Sequence, residues 1–513
     1  MSDFKYNRIK TLMESNLNSI ENIDELRDKA ERLLSNPILM ADGYKPTHDG
    51  QTPENTQYIT SYIEARGGKY NHTVMYGLQM FMIKVLSKKL TKQMVDDAQE
   101  FLVKKGYLGR FNYDGFMDIV NKLGGNWPVE IRAVPEGFKV NKKIVLVSIT
   151  NTDPRFAWVT SYIETMILRA VWYASTVATK SLSVRTNIMK YLKQSSDNYE
   201  TCIDFMFLDF GGRGVSSGES AQIGGSSHVA MGWMGSDTME GVQAFNLYYN
   251  IAMSAFSVVA SEHSTMTIWE EKAEAFAIGR LIKKFGFNED GTGNIISVVL
   301  DSYDYYRALE EYVGVRYNAE IRKLGAAGGR FVCRPDSGDP VEIIVTSLKI
   351  LYSKFEDDCT INSKGFKVLP DYLRILFADG IDESDIYLIC EEAMIAGFSV
   401  ENLMFGMGGG LLQGVTRDDC GFAMKACSAI VAGEQRDIYK NPKTADGSKT
   451  SKRGEYTTIM LRQSGTIESI PLRGDHVTPV VDYVDILFPV YRDGKVLITY
   501  SGQEVRDNAN LFV

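Results

Sequence analysis

The sequence contains few cysteines, and none of them lies in a metal-binding or disulfide-type pattern. No C-x-x-C pair occurs, and no cysteine clusters with a histidine. Disulfide scaffolds and structural zinc sites both depend on such patterns. The sequence therefore argues against both and indicates a reducing compartment. The six cysteines are Cys202, Cys333, Cys359, Cys390, Cys420 and Cys427.

Long apolar runs and targeting segments are missing as well. A membrane-spanning helix needs about 18 uninterrupted apolar residues, and the apolar stretch at residues 167–177 is interrupted by Arg169. The first 25 residues carry charges throughout and have no apolar segment of the kind found in signal peptides. We therefore expect no signal peptide, no membrane contact and a cytoplasmic location.

Positive charge is in the minority. The chain has 56 Lys and Arg against 65 Asp and Glu, which is a formal net charge of −9. Proteins that bind DNA or RNA neutralise a dense row of phosphates and usually have a net basic balance. The composition therefore argues against nucleic acid as a partner, although a local basic patch can still hold a small phosphorylated ligand.

Several common motifs of nucleotide-binding and hydrolytic enzymes are absent. There is no G-x-x-x-x-G-K-[ST] loop, no strand followed by G-x-G-x-x-G, no G-x-S-x-G and no H-E-x-x-H. These absences exclude the P-loop, the Rossmann fingerprint, the nucleophile elbow and the zinc-protease helix. Histidine is also scarce, and its five positions are His48, His72, His228, His263 and His476.

The composition that remains is that of a soluble globular protein. Hydrophobic residues make up 44% and charged residues 24% of the 513 residues, which is enough for large cores in two or three folded units. Residues 1–35 are polar and helix-prone and end at the turn signal Ser35-Asn36-Pro37, so we interpret them as an N-terminal extension. Residues 156–193 are predicted to form two long helices.

Six strand-like apolar runs in the middle of the chain each stop at polar or glycine residues. Helical segments lie between them, and this order is typical of parallel α/β folds, whose ligands gather at the carboxyl ends of the strands. Turn formation explains many of the Asp-Gly and Gly-Gly pairs. It explains less well why His263, Arg334 and Asp336 share one topological position. The runs are 205–208, 256–260, 295–300, 331–333, 373–377 and 403–405.

Two glycine-rich tips and one histidine stand out at these strand ends. Residues 211–214 and 408–410 can bind a phosphate through backbone N–H groups at a helix start, or they can allow close packing of a strand and a helix. The sequence leaves both interpretations open. His263 lies between Glu262 and Ser264, and an imidazole oriented by a carboxylate can act as a nucleophile or a base.

Seven separated segments form one further pattern: DGYKPTH (42–48), AVPEG (133–137), DFGGRGVSS (209–217), GSDT (235–238), EHST (262–265), RPDSG (334–338) and GGGLLQ (408–413). Through these segments the chain resembles the nicotinamide phosphoribosyltransferases, a family of type II phosphoribosyltransferases. The resemblance extends from about Ile38 to the C-terminus, and the order and spacing of the segments match the family throughout.

The resemblance implies an α/β fold with an irregular (β/α) barrel-like catalytic core at 179–411. An α+β domain would be built from 36–178 and 412–513. The implied activity is transfer of the phosphoribosyl group of phosphoribosyl pyrophosphate to N1 of nicotinamide in NAD salvage. Mg²⁺ would accompany the pyrophosphate groups, with no metal site made by the protein alone, and ATP would be hydrolysed through a phosphohistidine. The enzyme would be a homodimer with shared active sites.

The resemblance also implies roles for individual residues. His263 would be phosphorylated, with Asp301 or Asp336 orienting its ring and Glu262 beside it. Phe210 and Tyr44 of the partner subunit would sandwich the pyridine ring. The implied substrate-binding residues are Asp42, Tyr44, Phe210, Arg213, Asp237, Ser297, Arg334, Asp336, Asp379, Gly408 and Gly409. The implied phosphate-binding residues are Arg66, Arg213, His263, Arg334, Arg417, Lys425, Lys440 and Lys449.

The sequence departs from the family pattern in a few places. Leu208 stands where the family has a histidine, Ala378 stands where it has a glycine, and the stretch that leads to Lys449 is one residue longer. The first two departures concern ribose and channel contacts, and they leave the chemistry of the reaction unchanged. The third concerns only the match of Lys449 to the family pattern.

Two other functions compete with this interpretation. Nicotinate phosphoribosyltransferases share the fold, but a carboxylate at Asp237 would repel the carboxylate of nicotinate at a cost of several kcal/mol. A non-catalytic binding protein on the same scaffold would have no use for the full set of His263, Arg334, Asp336 and Arg417. The sequence therefore favours the nicotinamide enzyme.

Overall fold

A seven-stranded antiparallel sheet combines strands from the N-terminal and C-terminal parts of the chain. The computed structural model describes residues 7, 8, 10, 23–444, 450–473 and 481–513. In it, strands that precede residue 152 pair with strands that follow residue 421, as expected for an α+β unit built from N- and C-terminal segments. In spatial order the strands are Glu434–Asp437, Phe422–Val431, Thr56–Ala65, Val145–Asn151, Val129–Ala133, Phe488–Arg492 and Lys495–Val496.

The middle of the chain forms a six-stranded sheet in which every neighbouring pair is parallel. All five residues of Leu373–Phe377 are buried, because helices and neighbouring strands cover both faces of a parallel sheet. In Val129–Ala133 of the antiparallel sheet, buried and half-buried residues alternate. In spatial order the parallel strands are Phe207–Asp209, Leu403–Met407, Leu373–Phe377, Arg330–Arg334, Ile295–Val299 and Val259–Ala260.

Short bridges close the parallel sheet into an irregular ring. Asp209 pairs with Ser236, and Gly235 pairs with Phe256, both in the parallel sense. Phe256 lies just before Val259–Ala260, the strand at the opposite edge, so the chain itself joins the two edges. The result is an irregular barrel-like core, and the predicted fold class is confirmed.

Helices and smaller strand pairs surround the two sheets. The α-helices are Ile23–Leu34, Leu78–Phe81, Lys92–Gln99, Tyr113–Lys122, Val159–Tyr162, Glu164–Ser195, Tyr199–Cys202, Gly218–Ala230, Met239–Tyr248, His263–Thr267, Glu274–Phe285, Tyr305–Arg307, Asn318–Ala326, Pro340–Lys354, Glu383–Ile395, Gly409–Leu412 and Gly502–Asn510. Three of them continue with wider helical turns over Met82–Leu86, Glu100–Lys104 and Ala308–Arg316. The remaining strands are His72–Val74 with Lys139–Asn141, Thr360–Ile361 with Lys367–Val368, and Ile467–Pro471, Tyr456–Leu461 and Tyr483–Asp485.

The 32-residue helix Glu164–Ser195 connects two hydrophobic cores. Ile167 is buried in the core beneath the antiparallel sheet, whereas Leu182 is buried in the core of the barrel. Two long helices were predicted over residues 156–193, but the structure has one, preceded by the single turn Val159–Tyr162. The long helix continues without a break because residues 164–195 contain neither proline nor glycine.

One hydrophobic core lies beneath the antiparallel sheet and the other lies in the barrel. The predicted limits, 36–178 with 412–513 around 179–411, stay a prediction, because the long helix crosses residue 178 and serves both cores. No helix within the described ranges is long and apolar enough to cross a membrane.

Candidate active site

The carboxyl ends of the parallel strands bring many of the predicted site residues to one rim of the barrel. The rim follows from topology, because parallel strands all end on the same side. Ser297 lies lower, within the strand Ile295–Val299, and its buried hydroxyl has no partner among the described residues. The predicted residues at the rim are Phe210, Arg213, Asp237, Glu262, His263, Asp301, Arg334, Asp336, Asp379, Gly408 and Gly409.

His263 is the first residue of the helix His263–Thr267, and it is held by two carboxylates. Its Nε2 lies 2.8 Å from Oδ1 of Asp301, a side chain that is almost fully buried. Its Nδ1 lies 3.8 Å from Oδ2 of Asp336. With Nε2–H donating to Asp301, the free electron pair lies on Nδ1. Of the two orienting residues left open by the sequence, the geometry favours Asp301.

Asp301 is itself fixed from the neighbouring strand end. Its Oδ2 accepts hydrogen bonds from the Ser337 hydroxyl at 2.6 Å and from the Asp336 backbone N–H at 3.2 Å. Burial raises the pKa of Asp336, with Asp301 and Asp379 acting in the same direction and Arg334 and His263 opposing them. The histidine therefore faces a fixed carboxylate on one side and a second carboxyl group on the other.

Glu262 precedes His263 and caps its helix. The side chain accepts from the backbone N–H of Thr265, while the Thr265 hydroxyl accepts from the backbone N–H of Glu262. The Ser264 hydroxyl also donates to the Glu262 carboxylate. Arg213 reaches Glu262 at 4.0 Å across an exposed gap. Glu262 thus stabilises the start of the helix that carries the histidine.

Phe210 lies at the rim on a platform formed by Gly406. The Phe210 backbone N–H donates to the carbonyl of Met407 at 3.0 Å. A Cβ added at Gly406 would lie 2.6 Å from Cδ2 of the Phe210 ring and 2.9 Å from the Ala378 Cβ. The ring therefore rests on bare backbone, and its position depends on residue 406 being glycine. The side chain of Leu208, which stands where the family has a histidine, packs against Gly235.

We expect Gly406→Ala to damage the predicted pyridine site through Phe210. The added methyl group must displace the ring, and displacement of a substrate-positioning group by about 1 Å can cost 10- to 100-fold in rate. The measurement is kcat/KM for the pyridine substrate in Gly406→Ala, Phe210→Ala and the double variant. In this double-mutant cycle, Gly406→Ala should lower kcat/KM only slightly when Phe210 has already been replaced by alanine. Additive losses would contradict the proposed route.

The two glycine-rich tips pack directly against each other. A Cβ at Gly214 would lie 2.8 Å from Cα of Gly409, and one at Gly211 would lie 3.0 Å from the carbonyl oxygen of Gly408. Close packing therefore accounts for Gly211 and Gly214. Gly408 and Gly409 remain open toward the rim, where nothing lies within 3.5 Å of an added Cβ.

A second group of predicted residues forms a basic cluster on the antiparallel sheet. Lys425 lies opposite Tyr62 on the neighbouring strand. Burial lowers the pKa of Lys425, and the positive charges of Arg66, Lys440 and Arg417 lower it further, while Glu164 opposes them. The other three predicted phosphate-binding side chains thus lie close enough to Lys425 to disfavour its positive charge. Lys449 lies outside the described residues.

Arg66 is held in place but not fully paired. Its Nε lies 2.9 Å from Oε1 of the buried Glu64, whose other oxygen accepts from Lys452 at 2.8 Å. Its buried Nη2 has no hydrogen-bond partner among the described residues. At the barrel rim the buried Nε of Arg334 is likewise unpartnered, while its Nη2 donates to the carbonyl of Ser261 at 2.8 Å. Buried guanidinium donors without partners are suited to an anionic ligand.

The segment that carries Asp42 and Tyr44 lies beside this basic cluster. The Thr165 hydroxyl donates to Asp42 at 2.9 Å, and the buried Lys45 pairs with Glu164 at 2.5 Å. The Tyr44 side chain is 57% exposed. Within the described part of the chain, no hydrogen bond or ion pair joins Asp42, Tyr44 or the basic cluster to the barrel rim. The predicted site residues of one chain therefore form two groups with no direct bond between them.

Sequence reasoning missed several polar residues that support the site. Asp209 is fully buried and accepts from the Gly211 backbone N–H at 2.7 Å and from the Ser236 hydroxyl at 3.2 Å. Lys180 of the long helix is buried and donates to the carbonyl of Gly410 at 2.8 Å. Asp209 could have been found from its place in the quoted DFGG segment. Lys180 had no such signal, because its partner is 230 positions away.

Comparisons with solved structures support the fold. The chain matches a "nicotinate-nucleotide pyrophosphorylase from Pyrococcus furiosus" with a TM-score of 0.60 and 15% identity, covering 96% of this chain and 97% of that one. It matches "human Nicotinic Acid Phosphoribosyltransferase" with a TM-score of 0.56 and 15% identity, covering 92% and 93%. These comparisons show the fold, which is the barrel-containing α/β fold of type II phosphoribosyltransferases.

Sequence comparisons narrow this class further. Residues 205–468 match the nicotinate phosphoribosyltransferase (NAPRTase) family, and residues 36–131 match the "Nicotinamide phosphoribosyltransferase, N-terminal domain". A nicotinamide phosphoribosyltransferase of Xanthomonas campestris pv. campestris is 39% identical over 477 residues, which is 93% of this chain and 98% of that protein. One from Acinetobacter baylyi is 28% identical, covering 92% and 96%. The chain belongs to the nicotinamide phosphoribosyltransferase family and is a pentosyltransferase, which confirms the resemblance.

Proposed function

We propose that the protein transfers the phosphoribosyl group of phosphoribosyl pyrophosphate to N1 of nicotinamide, giving nicotinamide mononucleotide and pyrophosphate for NAD salvage. The observation that carries the proposal is the joint position of Phe210, Asp237 and the His263–Asp301 pair at one rim of the barrel. Pyridine N1 is already nucleophilic and needs no general base. The enzyme's task is therefore positioning and charge stabilisation.

Two rim residues are suited to hold the nicotinamide. The Phe210 ring offers an apolar face for stacking a flat neutral heterocycle, which loses little on desolvation. One oxygen of Asp237 already accepts from the Ser257 hydroxyl at 2.6 Å, which leaves the other free to accept from a carboxamide NH₂. Stacking fixes the plane of the ring, and the amide contact fixes its rotation within that plane.

Arginine side chains supply the charge stabilisation. As the C1–O bond of phosphoribosyl pyrophosphate breaks, negative charge grows on the departing pyrophosphate, and guanidinium groups stabilise it through charge-assisted hydrogen bonds. Arg334 has an unpartnered buried Nε, and the exposed Arg213 can turn toward the ligand. Gly408 and Gly409 leave room for a phosphate to approach the backbone.

A magnesium ion fits this proposal as a companion of the substrate. Mg²⁺ binds one or two carboxylates together with phosphate oxygens and water, and the carboxyl groups of Asp336 and Asp379 are close enough to influence each other. These two residues would hold the ion or its waters, or the ribose hydroxyls. When bound, Mg²⁺ offsets the negative charge of the pyrophosphate.

We further propose that ATP phosphorylates His263. Nδ1 would attack the γ-phosphorus, a P–N bond would form as the bond to the β-phosphate oxygen breaks, and ADP would leave. Water would later hydrolyse the phosphohistidine to phosphate and free histidine. Asp301 supports this role, because it holds Nε2–H and stabilises the positive ring of the phosphorylated histidine.

The direct test of the proposed function is incubation with phosphoribosyl pyrophosphate, Mg²⁺ and either nicotinamide or nicotinate, with and without ATP. We expect nicotinamide mononucleotide as the main product and a higher yield with ATP. Nicotinate mononucleotide as the main product would shift the assignment to the nicotinate enzymes. No product with either base would favour a binding protein on the same scaffold.

We also propose that the protein acts in the cytoplasm. The six cysteines are all free thiols, which supports action in a reducing compartment.

We propose a homodimer with shared active sites. One chain holds the rim group and a separate group of Asp42, Tyr44 and the basic cluster, so the two groups would meet across a subunit interface. The exposed Tyr44 ring would then form the second face of the sandwich around the pyridine, opposite Phe210 of the other chain.

Mixing two variants that are each impaired at low phosphoribosyl pyrophosphate should restore activity. In a heterodimer of Tyr44→Ala and His263→Ala chains, one of the two sites would carry neither change. We expect about half of the wild-type activity from a pure heterodimer, because one of its two sites is intact, and about a quarter from an equal mixture after complete subunit exchange. The measurement is product formation, with exchange verified by differently tagged chains. Unrestored activity in verified heterodimers would contradict shared sites.

A further inference from the structure

Asp209 is a fully buried carboxyl group directly before Phe210. None of the described Lys, Arg or His side chains forms an ion pair with it, and burial raises its pKa to about 6. An unpaired buried carboxyl group is costly, and a well-packed apolar residue often serves stability better. Stability alone therefore does not explain why this buried position is an aspartate.

Those hydrogen bonds connect two rim segments. On one side, Oδ1 accepts from the Gly211 backbone N–H at 2.7 Å, directly after Phe210. On the other side, Oδ2 accepts from the Ser236 hydroxyl at 3.2 Å, directly before Asp237. Both oxygens of one rigid side chain are thus used, one for each segment.

The second segment is tied to Asp209 by further bonds. The Ser236 hydroxyl also accepts from the Thr238 backbone N–H at 3.1 Å. The backbone N–H of Asp237 donates to the carbonyl of Asp209 at 2.9 Å. The backbone on both sides of Asp237 is therefore linked to Asp209 by hydrogen bonds. The Asp237 side chain itself is exposed at the rim.

We propose that Asp209 is a positioning residue that sets the ring of Phe210 and the carboxylate of Asp237 at a defined separation, and so determines how the pyridine substrate is held. This inference rests on the proposed function, because it assumes a pyridine substrate between these two side chains. Asp209 touches no substrate itself. Its effect on the reaction passes through the two segments that it joins.

The test compares Asp209→Ala, Asp209→Asn and Ser236→Ala with the wild type. We expect kcat/KM for nicotinamide to fall about 10- to 100-fold in Asp209→Ala, mainly through KM, since a misplaced positioning group costs this much. Asp209→Asn keeps one oxygen for the Gly211 N–H and should recover much of the loss. Ser236→Ala removes a single hydroxyl and should show a smaller loss in the same direction.

The readouts separate positioning from general damage. KM for phosphoribosyl pyrophosphate and the labelling of His263 by ATP should stay near the wild-type values in all three variants. Ser347→Ala is the control, because it removes a buried hydroxyl of the outer helix Pro340–Lys354 that bonds the Ile343 carbonyl and the Tyr305 hydroxyl. It should leave the ratio of the two KM values unchanged. Should Asp209→Ala be too unstable to purify, Ser236→Ala alone carries the test.

Two results would overturn the inference. One is an equal loss for both substrates in Asp209→Ala or Ser236→Ala, which would mark a merely structural role. The other is an unchanged KM for nicotinamide in Ser236→Ala and Asp209→Ala. A wild-type enzyme that uses nicotinate in place of nicotinamide would count against the proposed function only, because the same variants can then be measured with nicotinate.

Discussion

Asp237→Asn and Asp237→Ser are expected to erode a strong preference for nicotinamide over nicotinate, mostly through lower efficiency with nicotinamide. Sites built to hydrogen-bond a particular substrate group discriminate by about 10⁴-fold or more. A carboxylate accepts from the carboxamide NH₂ and repels the carboxylate of nicotinate. The Ser257 hydroxyl occupies one oxygen at 2.6 Å, so the other is free for this contact.

The measurement is kcat/KM for both bases in the wild type and the variants. Glu240→Gln is the matched control, since it removes a negative charge from an exposed position in the first turn of the helix that follows Asp237. It should leave the ratio of the two efficiencies unchanged. A wild type that prefers nicotinate, or a ratio unaltered in the Asp237 variants, would show that Asp237 does not read the amide.

His263→Ala is expected to abolish the acid-labile incorporation of the γ-phosphate of ATP. Some synthesis should remain without ATP when phosphoribosyl pyrophosphate is raised, because the histidine is proposed to improve substrate affinity and does not attack the sugar. Asp301→Asn should slow the labelling by about 100-fold, because the ring loses the carboxylate that fixes its tautomer and stabilises its charge.

The labelling experiment uses γ-³²P-labelled ATP, with the phosphate bond tested for lability in acid. His72→Ala is the control, since His72 lies on the distant strand His72–Val74 and its loss should not alter labelling. Wild-type labelling of the His263→Ala protein would place the phosphate elsewhere. Fast labelling in Asp301→Asn would leave the orienting role to Asp336.

Much of the barrel could be predicted from the sequence, because each strand is a short apolar run that can be recognised from neighbouring residues alone. An apolar run such as 373–377 is buried on both faces, so the predicted and observed bounds agree. The strand at 256–260 is less regular, since only Val259–Ala260 pairs with the sheet and Phe256 forms a separate bridge. The strand at this edge of the sheet is short because the sheet closes into a ring there. Closure depends on residues far apart in the chain, so no local sequence pattern predicts it.

The sequence by itself determined the class of the protein. Glycines, carboxylates and a histidine placed at strand ends predict a rim, and seven motifs in order lead to the family. The tertiary structure decided which of these residues act as a group. Asp301 lies 38 residues from His263 and Asp336 lies 73 away, yet the geometry selects Asp301 as the nearer partner. It also left the basic cluster without a direct bond to the rim, and it placed Asp209 between the two segments that it joins. Distances between residues far apart in the chain depend on how strands close and helices pack, and this information lies in the fold as a whole.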